Sequence, residues 1–278
     1  MVGPVVVLLA AVLVTAGCSA PSSVAPHGFT TGSTTHVLNF RGLDRSYLLY
    51  IPEEVQNPAP LVVMMHGGFG SAQQAERSYG WDELADSAKF VVAYPDGVGR
   101  AWNVNGGCCG RPGRESIDDV GFINAVVADV AANVNVDPRR RYATGISNGG
   151  MLAYALACNT DTFAAIGPDS ATQLDKCAAP HPTSVMHIHG TADRLIPYNG
   201  GQGAGVEHID GPAVPDLNAF WRNIDGCAPP ATTTDGAVTT STAGCPDGRN
   251  VVLVTVDGGG HEWPSFATQA LWQFFAAH

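Results

Sequence analysis

Six segments of this chain share one form. "APLVVMMHGG" (59–68), "KFVVAYPDG" (89–97), "RRYATGIS" (140–147), "TFAAIGPDS" (162–170), "TSVMHIHGTAD" (183–193) and "NVVLVTVDGGGHEW" (250–263) each run through mostly apolar residues and stop at glycines or small polar residues. A strand with one wet face alternates apolar and polar residues; a continuous apolar run fits a strand buried on both faces. Helical patterns lie between these runs. In "ESIDDVGFINAVVADVAANV" (115–134), Val120, Ile123, Val127 and Val130 recur every three to four positions, with Ser116 as the expected N-cap. "NGGMLAYALACN" (148–159), "VPDLNAFWRNIDG" (214–226) and "TQALWQFFAAH" (268–278) read as further helices. Buried strands alternating with helices predict an α/β fold, with a mostly parallel sheet and helices on both faces. One catalytic domain is expected over 36–278, entered through a hairpin of "THVLNF" and "SYLLYIP" around "RGLD". The irregular stretches 99–115 and 197–212 are long enough to carry function.

The N-terminus reads as an export signal. Residues 2–17 form an uncharged apolar run that is short for a bilayer span, as in the core of a signal peptide. The run ends in "TAGC", which resembles the lipobox of bacterial lipoproteins although Thr15 stands where leucine is usual. Residues 1–18 are therefore expected to be a signal peptide that leaves Cys18 as a lipidation site. Residues 19–35, small, polar and proline-containing, are expected to be a flexible tether. The expected location is outside the cytoplasm, lipid-anchored to the membrane or secreted.

The remaining six cysteines suit an oxidising compartment. Loop spacing favours Cys158 with Cys177 and Cys227 with Cys245, which leaves Cys108 and Cys109 to each other. Their spacing does not match a zinc site, and no metal or cofactor is called for. A net charge of −11 without any basic run argues against nucleic acid as a partner.

Loops at the carboxyl ends of parallel strands carry the chemistry of open α/β sheets. Ser147, in "GISNGG", ends one strand and opens a helix, with Gly145 and Gly149 small enough for the cramped turn. A serine hydroxyl needs a base and a group to orient that base. His261, after the last strand and three glycines, is the expected base. Asp193 is the preferred acid and Asp169, one strand earlier, the alternative. His187 and His189, alternating with Ile188 on a strand, are expected to be packed or hydrogen-bonded, and His66 to shape its loop. The oxyanion would take the backbone N–H of Asn148 and that of Gly68, with Phe69 as the second choice in that loop. Trp102 and Trp263 are candidates to line the substrate pocket, weighed evenly against core packing.

Taken in order, "HGGFG", "AWNVNGGCCG", "DDVGFI", "TGISNGGMLAY", "HGTADRLIPY" and "GGGHEWP" resemble the polyhydroxybutyrate depolymerase and feruloyl/acetylxylan esterase family of α/β hydrolases, especially its bacterial lipoprotein members. The resemblance spans roughly residues 36–278. It implies a triad of Ser147, Asp193 and His261, and a loop carrying Trp102 and Asn103 at the border of the active site. Glu262 departs from the family pattern, and no polymer-binding module follows. The expected substrate is accordingly a soluble or carbohydrate-linked ester rather than a solid polyester. The competing readings are a serine peptidase of the same fold and a non-catalytic binding lipoprotein; no triad member is missing, as the latter would require.

Overall fold

The computed structural model describes residues 1–3, 29–178 and 180–278. The expected signal peptide from residue 4 on, Cys18 and most of the expected tether lie outside the described residues. The last four positions of that tether, from Gly32 on, instead belong to the first strand.

The strands are β1 (Gly32–Phe40), β2 (Leu43–Ile51), β3 (Ala59–Met65), β4 (Val91–Pro95), β5 (Val136–Ile146), β6 (Ala165–Asp169), β7 (Ser184–Gly190), β8 (Gly201–Gln202), β9 (Asp210–Gly211), β10 (Ala231–Asp235), β11 (Val238–Gly244) and β12 (Asn250–Val256). Ten of them form one sheet in the order β1-β2-β4-β3-β5-β6-β7-β12-β11-β10. The six strands from β4 to β12 in that order run parallel, and an antiparallel hairpin extends each edge. The two-residue strands β8 and β9 pair apart from the sheet, inside the long stretch 197–212.

The helices are α1 (Ala72–Ser78), α2 (Trp81–Ala88), α3 (Gly110–Glu115), α4 (Asp119–Asn133), α5 (Asn148–Asn159), α6 (Val214–Ile224) and α7 (Ala267–Phe275). They cover both faces, and β3 shows why its sequence is continuously apolar. Its Leu61, Val63 and Met65 join a core with α4, α5 and α6, while Val62 and Met64 join a second core with α1, α2 and α7. Every second side chain faces one helical layer and the rest face the other, so no position in the strand is wet.

Two local expectations are corrected. Ser116 is not the N-cap of α4; it ends α3 in a left-handed conformation, φ 52°. Asp118 caps α4 instead, its carboxylate accepting from the Gly121 N–H, as a short acidic side chain does well at a helix start. The stretch 99–115 is not wholly irregular, since α3 lies within it. The three disulfides join Cys108 to Cys109, Cys158 to Cys177 and Cys227 to Cys245.

Candidate active site

Ser147 sits between β5 and α5 with φ 55° and ψ −122°, a backbone region that costs a non-glycine residue on the order of 1–3 kcal/mol. Its neighbours hold it there. The Ser147 N–H donates to the Asp169 carbonyl at 2.9 Å, and the Ser147 carbonyl accepts from Met151 N–H at 2.8 Å. The turn is also packed to the limit of its backbone. A Cβ on Gly149 would lie 2.2 Å from the Met65 carbonyl oxygen and 2.6 Å from that of His66, both backbone atoms with little room to move. Gly149→Ala is therefore expected to destabilise the fold by about 1–3 kcal/mol, the usual scale for overpacking, with a lower thermal midpoint as the readout. An unchanged midpoint would contradict the crowding.

The loops after β7 and β12 are drawn together by backbone contact. Ala192 N–H donates to the Gly259 carbonyl and Thr191 N–H to that of Val256, each at 2.9 Å. Gly190 makes this approach possible, because a Cβ there would lie 2.2 Å from the Gly259 oxygen. Across this seam His261 Nδ1 donates to Asp193 Oδ2 at 2.8 Å. The other carboxylate oxygen, Oδ1, accepts the N–H groups of Leu195 at 2.8 Å and Ile196 at 3.0 Å. Burial alone would raise the Asp193 pKa, but the hydrogen bonds from His189, His261 and Ile196, with the charge of His261, hold it below the usual carboxylate range. With Nδ1 committed to Asp193, His261 keeps the Nε2 lone pair free to take a proton.

Asp169, the alternative acid, is placed differently. Its side chain is fully buried, neither carboxyl oxygen has a partner among the described residues, and burial pushes its pKa well up.

Ser147, Asn148, Gly67, Gly68 and His261 line one cavity of about 460 Å³. Among the described residues no hydrogen bond links Ser147 Oγ to another group, although Ser147 and His261 line the same cavity. The Phe69 N–H is already used, donating to the Arg100 carbonyl at 2.8 Å. Gly68 N–H has no partner among the described residues, which favours it as the donor of that loop. Asn148 heads α5, where the first N–H groups have no partner within the helix.

Three expected pocket residues lie elsewhere, each for a visible reason. Trp102 is fully buried and donates its indole N–H to the His66 carbonyl at 2.8 Å. Asn148 grips the Trp102 backbone at both ends, its Oδ1 accepting from the N–H at 2.7 Å and its Nδ2 donating to the carbonyl at 3.1 Å. Trp102 thus ties the Gly67–Gly68 loop to the helix behind Ser147. Asn103 spends its side chain on the Ile117 carbonyl and the Asn105 N–H, while its own N–H donates to Asp119. Trp263 packs on Tyr79 at 4.9 Å between ring centres and donates to Thr268 Oγ1 at 2.9 Å. None of the three lines the cavity.

The walls come instead from Gln74, Tyr79, Cys109, Leu195, Val206 and Ile209, together with the exposed ring of Phe69. These residues sit in loops and short helices. Phe69, Cys109 and Leu195 fall within the motifs "HGGFG", "AWNVNGGCCG" and "HGTADRLIPY", and Val206 and Ile209 within the stretch 197–212, while Gln74 and Tyr79 carry no sequence signal. His66 is buried and shapes its loop: its Nε2 accepts from Gly97 N–H at 3.0 Å and its Nδ1 donates to the Gly67 carbonyl at 2.8 Å.

A parallel sheet of this order, with a serine turn after β5 and an aspartate–histidine pair from the loops after β7 and β12, defines an α/β hydrolase. The family model described as esterase PHB depolymerase matches residues 45–199. NocK of Nocardia uniformis subsp. tsuyamanensis, described as an esterase, is 32% identical over 284 residues, covering 88% of this chain and 81% of its own. Feruloyl esterase C of Emericella nidulans is 31% identical over 254 residues, covering 84% of each chain. Among solved structures, an acetyl xylan esterase from Aspergillus awamori superposes with a TM-score of 0.67 at 15% identity, covering 88% of this chain and all of its own. The chain belongs to the esterase PHB depolymerase family and is a carboxylic ester hydrolase.

Proposed function

We propose that the chain hydrolyses esters through a covalent acyl-serine, with Ser147 as nucleophile, His261 as base and Asp193 as the group that orients it. The observation that carries this reading is the 2.8 Å bond from His261 Nδ1 to Asp193, beside a cavity that holds both His261 and Ser147. Ser147 Oγ attacks the ester carbonyl carbon as its proton passes to His261 Nε2. Gly68 and Asn148 N–H groups receive the negative charge that develops on the carbonyl oxygen, each donor contributing about 3–4 kcal/mol in the transition state. The tetrahedral centre collapses, the C–O bond to the alcohol breaks, and the alcohol leaves with the proton from His261. Water then attacks the acyl-serine by the same route, releasing the acid and restoring Ser147.

The substrate we infer is a soluble or carbohydrate-linked ester of a feruloyl or short acyl group. Tyr79, Phe69, Leu195, Val206 and Ile209 give the cavity apolar walls, and its volume falls within the range of small-molecule sites. The names of the relatives, feruloyl and acetyl xylan esterases, support the same class. Methyl ferulate, acetylated xylan, short 4-nitrophenyl esters and hydroxybutyrate oligomers form the test panel. Turnover of the feruloyl or acetyl substrates is expected to exceed that of the oligomers; the reverse order would overturn the assignment.

We further propose that the chain is exported and anchored through Cys18, a reading that the three disulfides support. Detergent partitioning of wild type against Cys18→Ala reads this, and identical behaviour would refute it.

A further inference from the structure

Behind Asp193 lies a row of buried polar groups that the mechanism does not use. Tyr154 Oη on α5 meets His187 Nδ1 at 2.9 Å. His187 Nε2 meets His189 Nδ1 at 3.0 Å, two positions along β7. His189 Nε2 meets the Ile196 carbonyl at 2.9 Å and Asp193 Oδ2 at 3.3 Å. Tyr154, His187 and His189 are each 1% exposed or less. With both rings neutral, the direction of the row follows from one end. A carbonyl oxygen and a carboxylate only accept, so His189 Nε2 carries the hydrogen. In the neutral ring Nδ1 is then a lone pair, which must accept from His187 Nε2–H. The same logic leaves His187 Nδ1 to accept from the Tyr154 hydroxyl. All three groups are satisfied with both rings neutral and in the Nε2–H tautomer.

We infer that His189 is a positioning residue for the catalytic acid: its Nε2–H, bonded to the Ile196 carbonyl at 2.9 Å, also faces Asp193 Oδ2 at 3.3 Å, and its tautomer and orientation are set by His187 and Tyr154. This inference rests on the triad reading above. Oδ2 is the oxygen that holds His261 Nδ1, so the carboxylate is pinned by donors on both sides: the Leu195 and Ile196 N–H groups on Oδ1, and His189 with His261 on Oδ2. Without His189 the Oδ1 side stays fixed by the Leu195 and Ile196 N–H groups, but Oδ2 keeps only His261, and the aim of the imidazole loosens. The remaining titratable ring against His189 is Tyr198, 5.9 Å away between centres. Its hydroxyl bonds to Thr255 Oγ1 at 2.9 Å rather than to the row. Burial pushes the His187 pKa well below the ordinary value, which suits a neutral ring.

Three proteins and one spectrum test the inference. His189→Met removes the donor at similar bulk, and His189→Gln places an amide N–H near the Nε2 position. On 4-nitrophenyl acetate, His189→Met is expected to lose about 10- to 100-fold in kcat with KM within about twofold, the scale of a small misplacement in an active site. His189→Gln is expected to recover most of that loss. Equal losses in both variants, or wild-type kcat in His189→Met, would overturn the inference. Such results would leave the triad reading standing so long as Ser147→Ala remains inactive; hydrolysis by Ser147→Ala would sink the triad reading itself. Independently of activity, 15N-resolved NMR of the imidazoles in the full chain is expected to show His187 and His189 as neutral Nε2–H tautomers at neutral pH. An Nδ1–H tautomer or an imidazolium at His189 would contradict the row.

Discussion

Ser147→Ala is expected to remove ester hydrolysis almost completely, with kcat on 4-nitrophenyl acetate falling by about 10⁶-fold and the thermal midpoint close to that of wild type. The reason is local. The Ser147 backbone occupies its φ 55° position through its own N–H and carbonyl bonds, and the hydroxyl has no partner among the described residues. Removing Oγ therefore deletes the nucleophile without loosening the turn. What survives should be the contribution of the oxyanion donors and substrate binding, about 10³–10⁴ over water in the serine-triad systems where it has been separated. Equal rates in the variant and wild type would place the chemistry on another residue.

The second large effect separates two carboxyl groups that lie on adjacent strand ends. Asp193→Asn is expected to lower kcat by about 10⁴-fold, and the geometry says how. Leu195 and Ile196 N–H groups claim the oxygen at the Oδ1 position, so the new amide must turn its NH₂ toward His261. A donor facing Nδ1 forces the proton of His261 onto Nε2 and removes the lone pair that Ser147 needs.

Asp169→Asn should behave in the opposite way. Burial favours the neutral form of the Asp169 carboxyl, so the amide replaces it with little change in charge, and activity is expected within about threefold of wild type, less than 1 kcal/mol of transition-state energy. Its raised pKa also carries a stability consequence. The unfolded chain ionises at about 3.9 and the folded chain holds the proton to higher pH, so Asp169 opposes folding increasingly as pH rises above that value. Asp169→Asn should therefore raise the thermal midpoint at neutral pH and leave it little changed near pH 3, as scanning calorimetry at the two pH values would read. A large activity loss in Asp169→Asn, with Asp193→Asn spared, would reverse the assignment of the acid.

What the sequence made legible follows from where a physical demand acts on residue type. A strand buried on both faces must be largely apolar, and β3, β4, β6, β7, β12 and the second half of β5 announce themselves that way; the first half of β5 is charged and partly exposed. The hairpin β10–β11 did not: β10 is exposed along its whole length and rich in threonine, so it carries no burial signal. Helices α1 and α2 are short, seven and eight residues, and are separated by Gly80 in a left-handed conformation, which breaks any helical period. The turn around Ser147 was readable because close backbone approach admits only glycine. The substrate walls were not, because an apolar side chain looks the same in sequence whether it faces a cavity or a core. Trp102 shows the difficulty most clearly. Its place in a functional loop suggested substrate contact, but the indole fills the space between two loops that must be held in register, and Asn148 fastens it there. His189 shows the converse: expected as a packed or bonded histidine, it lies within reach of Asp193, the proposed acid.

The central claim is that Ser147 is an activated nucleophile. A fluorophosphonate, which esterifies an activated serine and stays there, tests it most directly through intact mass, peptide mapping and residual hydrolysis on one sample. A single adduct per chain is expected, on the peptide that carries Ser147, with hydrolysis lost in proportion to labelling. An adduct on any other residue, or fully labelled protein that still hydrolyses ester, would contradict it.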